Sequence, residues 1–325
     1  MPLFTLAELE HTAGLVHSQM PATPQYAWPL LAERLGTEVW VKHENHTPTG
    51  AFKVRGGIAY MDWLKREHPK VKGVISATRG NHGQSIARAA TAVGLRSVLY
   101  VPEGNSVEKN RAMKAFGAEL VVHGRDFDEA RHECALTAAR EGLHYVPSFH
   151  PHLVMGVATY ALEFFRAVAG LDTVYVPVGM GSGICGLIAV RDLLGLDTEI
   201  VGVVSEGAPA IALSFEAGHR IATNSAVTFA DGMACRDPQA DALAMILRGA
   251  ARIVQVSDAE VAGAIRAYYE DTHNVAEGAG AAALAAALKE KARHAGRKVG
   301  VILCGGNIDV HWFAEILAGR TPRVG

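Results

Sequence analysis

The chain has 325 residues, of which 49% are hydrophobic and 20% charged, and its formal net charge at pH 7 is −2. That is ample apolar material for buried cores in a folded, globular protein, and it excludes a disordered chain. The near-neutral balance supplies no basic face for nucleic acid, and no uninterrupted apolar stretch reaches membrane-spanning length, so neither partner is expected.

The amino terminus, Met1-Pro2-Leu3-Phe4-Thr5-Leu6-Ala7-Glu8, lacks a basic segment followed by an apolar core, and a cytoplasmic location is expected. Cys134, Cys185, Cys235 and Cys304 are dispersed without metal-ligand spacing. They read as reduced thiols, with neither a zinc site nor a disulfide framework.

The first informative segment is Glu44-Asn45-His46-Thr47-Pro48-Thr49-Gly50-Ala51-Phe52-Lys53-Val54-Arg55-Gly56-Gly57. A Gly-containing turn feeds a helix start, which places the Lys53 amine near the partial positive charge of the helix N-terminus. That setting favours a neutral amine, and a neutral amine condenses with an aldehyde. Most lysines are solvated surface charges, so the weight of Lys53 depends on what accompanies it.

Next, the apolar run Val71-Lys72-Gly73-Val74-Ile75 leads into Ser76-Ala77-Thr78-Arg79-Gly80-Asn81-His82-Gly83-Gln84 and the helical pattern Ser85-Ile86-Ala87-Arg88-Ala89-Ala90. A strand, a small-residue turn and a helix start present several backbone N–H groups to one point, which suits a carboxylate. Asn81 adds a neutral side chain able to hydrogen-bond a phenolate oxygen. Val98-Leu99-Tyr100-Val101-Pro102, a helix through Asn110 to Phe116, and Glu119-Leu120-Val121-Val122 then continue a βαβ succession, which predicts parallel sheets with helices on both faces. His144, His150 and His152 have no helix-spaced glutamate and read as solvated or capping residues.

After the strand-like Thr173-Val174-Tyr175 comes Val176-Pro177-Val178-Gly179-Met180-Gly181-Ser182-Gly183-Ile184-Cys185-Gly186. Its glycines permit close backbone approach, so the loop can cradle a phosphate at the start of a helix containing Leu187 to Val190. Gly181, Gly183 and Gly186 also spell G-x-G-x-x-G, with Glu206 as the acidic residue roughly 20 positions on, and a nucleotide-binding protein stays open as an alternative. Helices are expected near Val261 to Ile265 and Ala281 to Leu288, with Gly278-Ala279-Gly280-Ala281-Ala282-Ala283 marking close helix packing. Finally Val299-Gly300-Val301-Ile302-Leu303 runs into Cys304-Gly305-Gly306-Asn307. Cys304 reads either as a weak neutral partner for a pyridine nitrogen or as a small buried hydrophobe.

In this order the segments resemble the serine/threonine dehydratases that depend on pyridoxal 5'-phosphate (PLP), fold type II (tryptophan synthase beta-like), and the likeness extends over nearly the whole chain. The resemblance implies an α/β fold of two lobes with parallel-rich twisted sheets flanked by helices. Residues 1–49 and 149–325 would form the large PLP-binding lobe and residues 50–148 a small inserted lobe, with the cofactor in the cleft. It also implies roles: Lys53 as the Schiff-base lysine with Phe52 packing near the ring, and Thr78, Arg79, Gly80, Asn81 and His82 at the substrate carboxylate, Asn81 also touching the ring oxygen. Gly179, Met180, Gly181, Ser182 and Gly183 would hold the phosphate, and Cys304 would meet the pyridine nitrogen.

The implied activity is that of an ammonia-lyase removing water from a β-hydroxy amino acid such as L-threonine or L-serine, giving a 2-oxo acid and ammonia, in a homodimer. The chain ends soon after the Cys304 strand, so no regulatory domain is expected. Glu206 has no second carboxylate in Gly207 to Ala212, so no metal is expected either.

Two departures stand out. Gly156-Val157-Ala158-Thr159 replaces a common Gly-Gln-Gly-Thr stretch, and Arg79 occupies a position where family members carry a small residue and serine racemases a serine, which disfavours a racemase. Arg79 has two placements: toward a second anionic or polar group on the substrate, or outward into water. The first keeps 3-hydroxyaspartate or a hydroxylated diamino acid open as the substrate. A β-replacement synthase of the cysteine-synthase type, which shares the fold and the lysine, remains an alternative.

Overall fold

Short runs rich in β-branched and apolar residues, punctuated by glycine turns, form ten strands that pair into two separate sheets in the computed structural model, which describes residues 3–324. Met1, Pro2 and Gly325 lie outside the described residues, and with them the outermost positions of the amino-terminal reading and of the 1–49 and 149–325 expectation. The strands are β1 (Gln25–Ala27), β2 (Glu38–His43), β3 (Gly73–Ala77), β4 (Arg96–Val101), β5 (Glu119–Val122), β6 (His144–Tyr145), β7 (Thr173–Pro177), β8 (Glu199–Ser205), β9 (Arg252–Val256) and β10 (Lys298–Leu303).

The larger sheet has the order β1-β2-β10-β7-β8-β9, with β1 antiparallel to β2 and all other pairs parallel. The smaller is all parallel, in the order β5-β4-β3-β6. Alternation across the smaller sheet is visible in its cores. Val74 and Leu99 pack on one face with the helix Asn81–Ala92, while Ile75, Val98 and Tyr100 pack on the other with Cys134 and Ala138 of the helix Phe127–Glu141.

Each sheet has a point where the strand order reverses. From β7 the chain steps through β8 to β9 on one side, and β10 then inserts on the other; from β3 it steps through β4 to β5, and β6 returns on the far side. Ligands of α/β proteins bind beyond the carboxyl ends of strands at such reversals. Thr78 follows β3, the glycine loop follows β7 and Cys304 follows β10, so topology alone brings the three segments to the productive ends of their sheets.

The helix Lys53–Glu67 is anchored by charge on the face turned away from those loops. Arg55 is fully buried; its Nε donates to Glu44 at 2.7 Å and its Nη1 to Glu163 at 2.6 Å, while Lys42 donates to Glu163 at 2.6 Å and Thr159 accepts from Arg55 at 3.0 Å. Burial alone would lower the affinity of Arg55 for its proton, but the two glutamates outweigh it and hold the guanidinium more firmly charged than usual.

The Ala- and Gly-rich helix Gly278–Lys289 packs as expected from its small residues: a Cβ on Gly280 would come within 2.1 Å of the Gly305 carbonyl oxygen. The reading of the histidines as solvated or capping needs correction in part. His150 does cap the helix Pro151–Ala167, yet His144 bonds the Tyr60 hydroxyl at 2.8 Å, and His152 stacks on Trp63 with ring centroids 4.8 Å apart. Aromatic surface from the Lys53–Glu67 helix shields these rings from water, and burial keeps His150 neutral by lowering it to about 4. Glu206 pairs with Lys289 at the surface.

Candidate active site

Lys53 is the first residue of its helix, and the turn before it is stitched to the turn after β10. Phe52 N donates to the Cys304 carbonyl at 3.0 Å, Gly306 N donates to the Gly50 carbonyl at 2.9 Å, and Ala51 bridges Gly305. Gly50 has φ +68, and a Cβ there would sit 2.6 Å from Asn307 Oδ1, so the tight turn requires glycine. The Ser85 hydroxyl donates to the Lys53 carbonyl at 2.6 Å, which ties this helix to the carboxylate loop's helix.

The Lys53 amine donates to Ser182 Oγ at 2.8 Å and lies 4.7 Å from the centre of the Phe52 ring. Among the described residues it has no carboxylate partner, in contrast to Lys42 and Lys109. Burial lowers it to about 8, opposed in part by Cys304. Burial thus makes the amine easier to deprotonate than an ordinary lysine, in the direction the sequence predicts, and Lys53 is also the first residue of its helix.

The loop after β3 is braced from within. Thr78 Oγ1 accepts from the N–H groups of Gly80 and Gly83, both at 3.0 Å. His82 meets Ser76 Oγ at 3.2 Å, and burial, reinforced by the Lys53 cation, lowers its imidazole to about 3 and keeps it neutral. Asn81 donates to Glu277 at 2.5 Å and accepts from Asn307 at 2.8 Å, so both ends of its amide are held. Glu277 in turn faces Lys109 at 3.1 Å, and Lys109 also reaches Asp231 at 2.7 Å.

On the opposite wall, the glycine loop starts the helix Ser182–Leu193, whose first N–H groups lack partners within the helix. A Cβ on Gly179 would meet the Gly232 carbonyl oxygen at 2.3 Å, and Gly181 has φ +99, so neither position accepts a side chain without strain. Gly186, the third glycine of the nucleotide-like pattern, instead lies against the helix Pro151–Ala167, where a Cβ would be 3.1 Å from Ala158 Cα.

All these walls enclose one cavity of about 370 Å³. Phe52 and Lys53, Thr78 to His82, Gly179 to Gly183 and Cys304 all line it, so the residues that the resemblance implies for cofactor and substrate reach the same space. Cys304 is 4% exposed, as a small buried hydrophobe would be, and it also lines the cavity, where burial holds its thiol protonated. Arg79 lines the cavity and is half-buried, with its Nε cut off from water.

Sequence reasoning missed Glu277, Lys109 and Asp231, and it quoted Asn307 without a role. Glu277 stands out as a carboxylate just ahead of an Ala/Gly helix, a signal that was readable; Lys109 and Asp231, 122 residues apart, have no local one.

The donor set fits pyridoxal phosphate. An amine without an ion-pair partner suits its aldehyde, a helix start with free N–H groups suits its phosphate, and a protonated thiol suits an uncharged ring nitrogen.

The family model for pyridoxal-phosphate dependent enzymes matches residues 18–305. The chain is 36% identical over 287 residues to the L-threonine ammonia-lyase of Geobacter sulfurreducens, covering 88% of this chain and 71% of that one. It is 32% identical over 299 residues to the biosynthetic L-threonine dehydratase of Salmonella typhimurium, covering 91% of this chain but 58% of that protein, so it spans little more than half of that relative's length. The solved structure of the processed form of threonine deaminase isoform 2 from Solanum lycopersicum superimposes with a TM-score of 0.88 at 29% identity, covering 98% of this chain and 96% of that one.

Proposed function

The chain belongs to the family of pyridoxal-phosphate-dependent enzymes, and on that premise we propose that it is an ammonia-lyase removing water from a β-hydroxy amino acid of the threonine and serine kind. The observation that carries this reading is the Lys53 amine, unpaired, lowered to about 8 and bonded to Ser182 at the foot of the glycine loop.

In this reading Lys53 anchors the cofactor aldehyde, the loop Gly179 to Gly183 holds its phosphate, Asn81 meets the ring oxygen and Cys304 the ring nitrogen. When bound, the cofactor supplies an electron sink that acidifies the Cα–H bond of an amino acid. Backbone N–H groups at Gly80 to His82 hold the substrate carboxylate, with Thr78 Oγ1 fixing their direction. With the cofactor bound, Lys53 Nζ as a neutral amine would be the group to take the Cα proton. Ser182 Oγ, 2.8 Å from Nζ, is placed to pass a proton toward the departing β-hydroxyl, which leaves as water, and the unsaturated amine hydrolyses to the 2-oxo acid and ammonia.

We further assign residues 50–148 to a small lobe and 1–49 with 149–325 to a large one, and we take the working form to be a homodimer, which light scattering in solution checks.

The test is an absorbance spectrum of the purified protein, repeated for Lys53→Ala, with 2-oxo acid measured after addition of L-threonine or L-serine. A visible band lost in the variant, with turnover falling on the order of 10⁴-fold, is expected. A band without 2-oxo acid, but with a sulfur-containing amino acid formed when sulfide and an activated serine are supplied, overturns the lyase reading in favour of β-replacement.

A further inference from the structure

Most cations on the cavity wall are neutralised by carboxylates of the chain itself. Lys109 pairs with Asp231 and Glu277, Arg131 with Asp128 at 3.0 Å, and Arg236 with Asp126 and Asp128. Lys53 carries no carboxylate, and its task accounts for that. Among the described residues Arg79 is the remaining cavity-lining cation, and it has neither a carboxylate nor a hydrogen-bond acceptor; its Nε is buried with no partner. The side chain is half-buried, so its unpaired Nε is cut off from water, and a guanidinium is the group best shaped to read a carboxylate with two parallel N–H bonds.

Its position narrows the choice of anion. Arg79 lies between Thr78 and Gly80 on the loop braced by Thr78 Oγ1, directly beside the N–H groups assigned to the substrate's α-carboxylate. The helix start at Ser182, on another wall, is already suited to the cofactor phosphate. A third anion site next to the first fits a substrate with two carboxylates.

We propose that Arg79 selects a β-hydroxy amino acid that carries a second carboxylate on Cβ, which its guanidinium binds while the neighbouring backbone N–H groups hold the α-carboxylate. This rests on the ammonia-lyase reading and names the substrate class within it. The reaction then takes a 3-hydroxy dicarboxylic amino acid to a 2-oxo dicarboxylic acid and ammonia, with water lost in elimination and regained in hydrolysis.

Three substrates that differ only in one Cβ substituent decide the matter: L-serine (hydrogen), L-threonine (methyl) and L-threo-3-hydroxyaspartate (carboxylate). The holoenzyme is expected to favour hydroxyaspartate in kcat/KM, chiefly through KM. Arg79→Ser is expected to cut the hydroxyaspartate-to-serine ratio of kcat/KM on the order of 100-fold, and Arg79→Lys by less. A wild-type preference for threonine, or an unchanged ratio in Arg79→Ser, overturns the proposal and leaves the lyase reading intact.

A binding readout accompanies the kinetics. Titration of the visible band with L-aspartate and L-alanine, which have no β-hydroxyl to lose, is expected to show a preference for aspartate that Arg79→Ser abolishes; an equal response in the wild type overturns the proposal. If the band is present but none of the three hydroxy amino acids is consumed, the lyase reading fails, and this titration still decides the role of Arg79.

Discussion

Lys53 and Arg55 are two residues apart on one helix, and the helix turns them into opposite environments. Arg55 enters a closed network in which two glutamates, a lysine and two threonines leave no charge uncompensated. Lys53 enters a cavity where its partner is one hydroxyl. Both lose water, but pairing holds the arginine charged whereas burial without pairing leaves the lysine amine easily deprotonated. Structural and reactive cations thus differ less in residue type than in whether a carboxylate accompanies them into the interior.

The strongest way to break this contrast is to delete each cation and measure the denaturant midpoint of the cofactor-free protein. Arg55→Met leaves Glu44 and Glu163 facing each other with Lys42 and the partly exposed His17 to compensate, and a loss of about 3–5 kcal/mol is expected. Lys53→Met removes an amine that folding had to desolvate, and an unchanged or higher midpoint is expected. A comparable loss in both variants contradicts the distinction.

Smaller effects follow from pH. Burial alone raises the Glu163 carboxyl, but Arg55 outweighs it and holds the group at about 2 against an ordinary 4.5. Between those values the unfolded chain binds a proton that the native one does not, so this stability is present above pH 4.5 and is lost as pH falls toward 2. Lys53 works at the other end: between about 8 and 10.5 the unfolded lysine is protonated and the native one is not, so stability rises with pH there. Denaturant midpoints across both windows are expected to show the acid loss reduced in Arg55→Met and the alkaline gain missing in Lys53→Met.

Much of the site was legible because its chemistry is local. A lysine after a glycine turn, a carboxylate loop between strand and helix, a glycine loop and a cysteine at a strand end each require backbone geometry that neighbouring residues impose, and all four reach one cavity. Its supporting groups were not legible. Asn81 is oriented by Glu277 and Asn307, which lie 196 and 226 residues away, and Lys109 finds Asp231 122 residues away. The position of Lys53 at a helix start was visible in the sequence, whereas the depth of burial that lowers its amine was not.

The sequence by itself determined the α/β pattern, the two sheets' parallel character and the residues able to handle an aldehyde, a phosphate and a carboxylate, because backbone hydrogen bonding and side-chain chemistry are properties of short segments. Only the tertiary structure decided which charges are compensated. Ion pairing depends on distance in space, and it is where the carboxylates of the cavity wall are placed that leaves Lys53 reactive and Arg79 without a partner of its own.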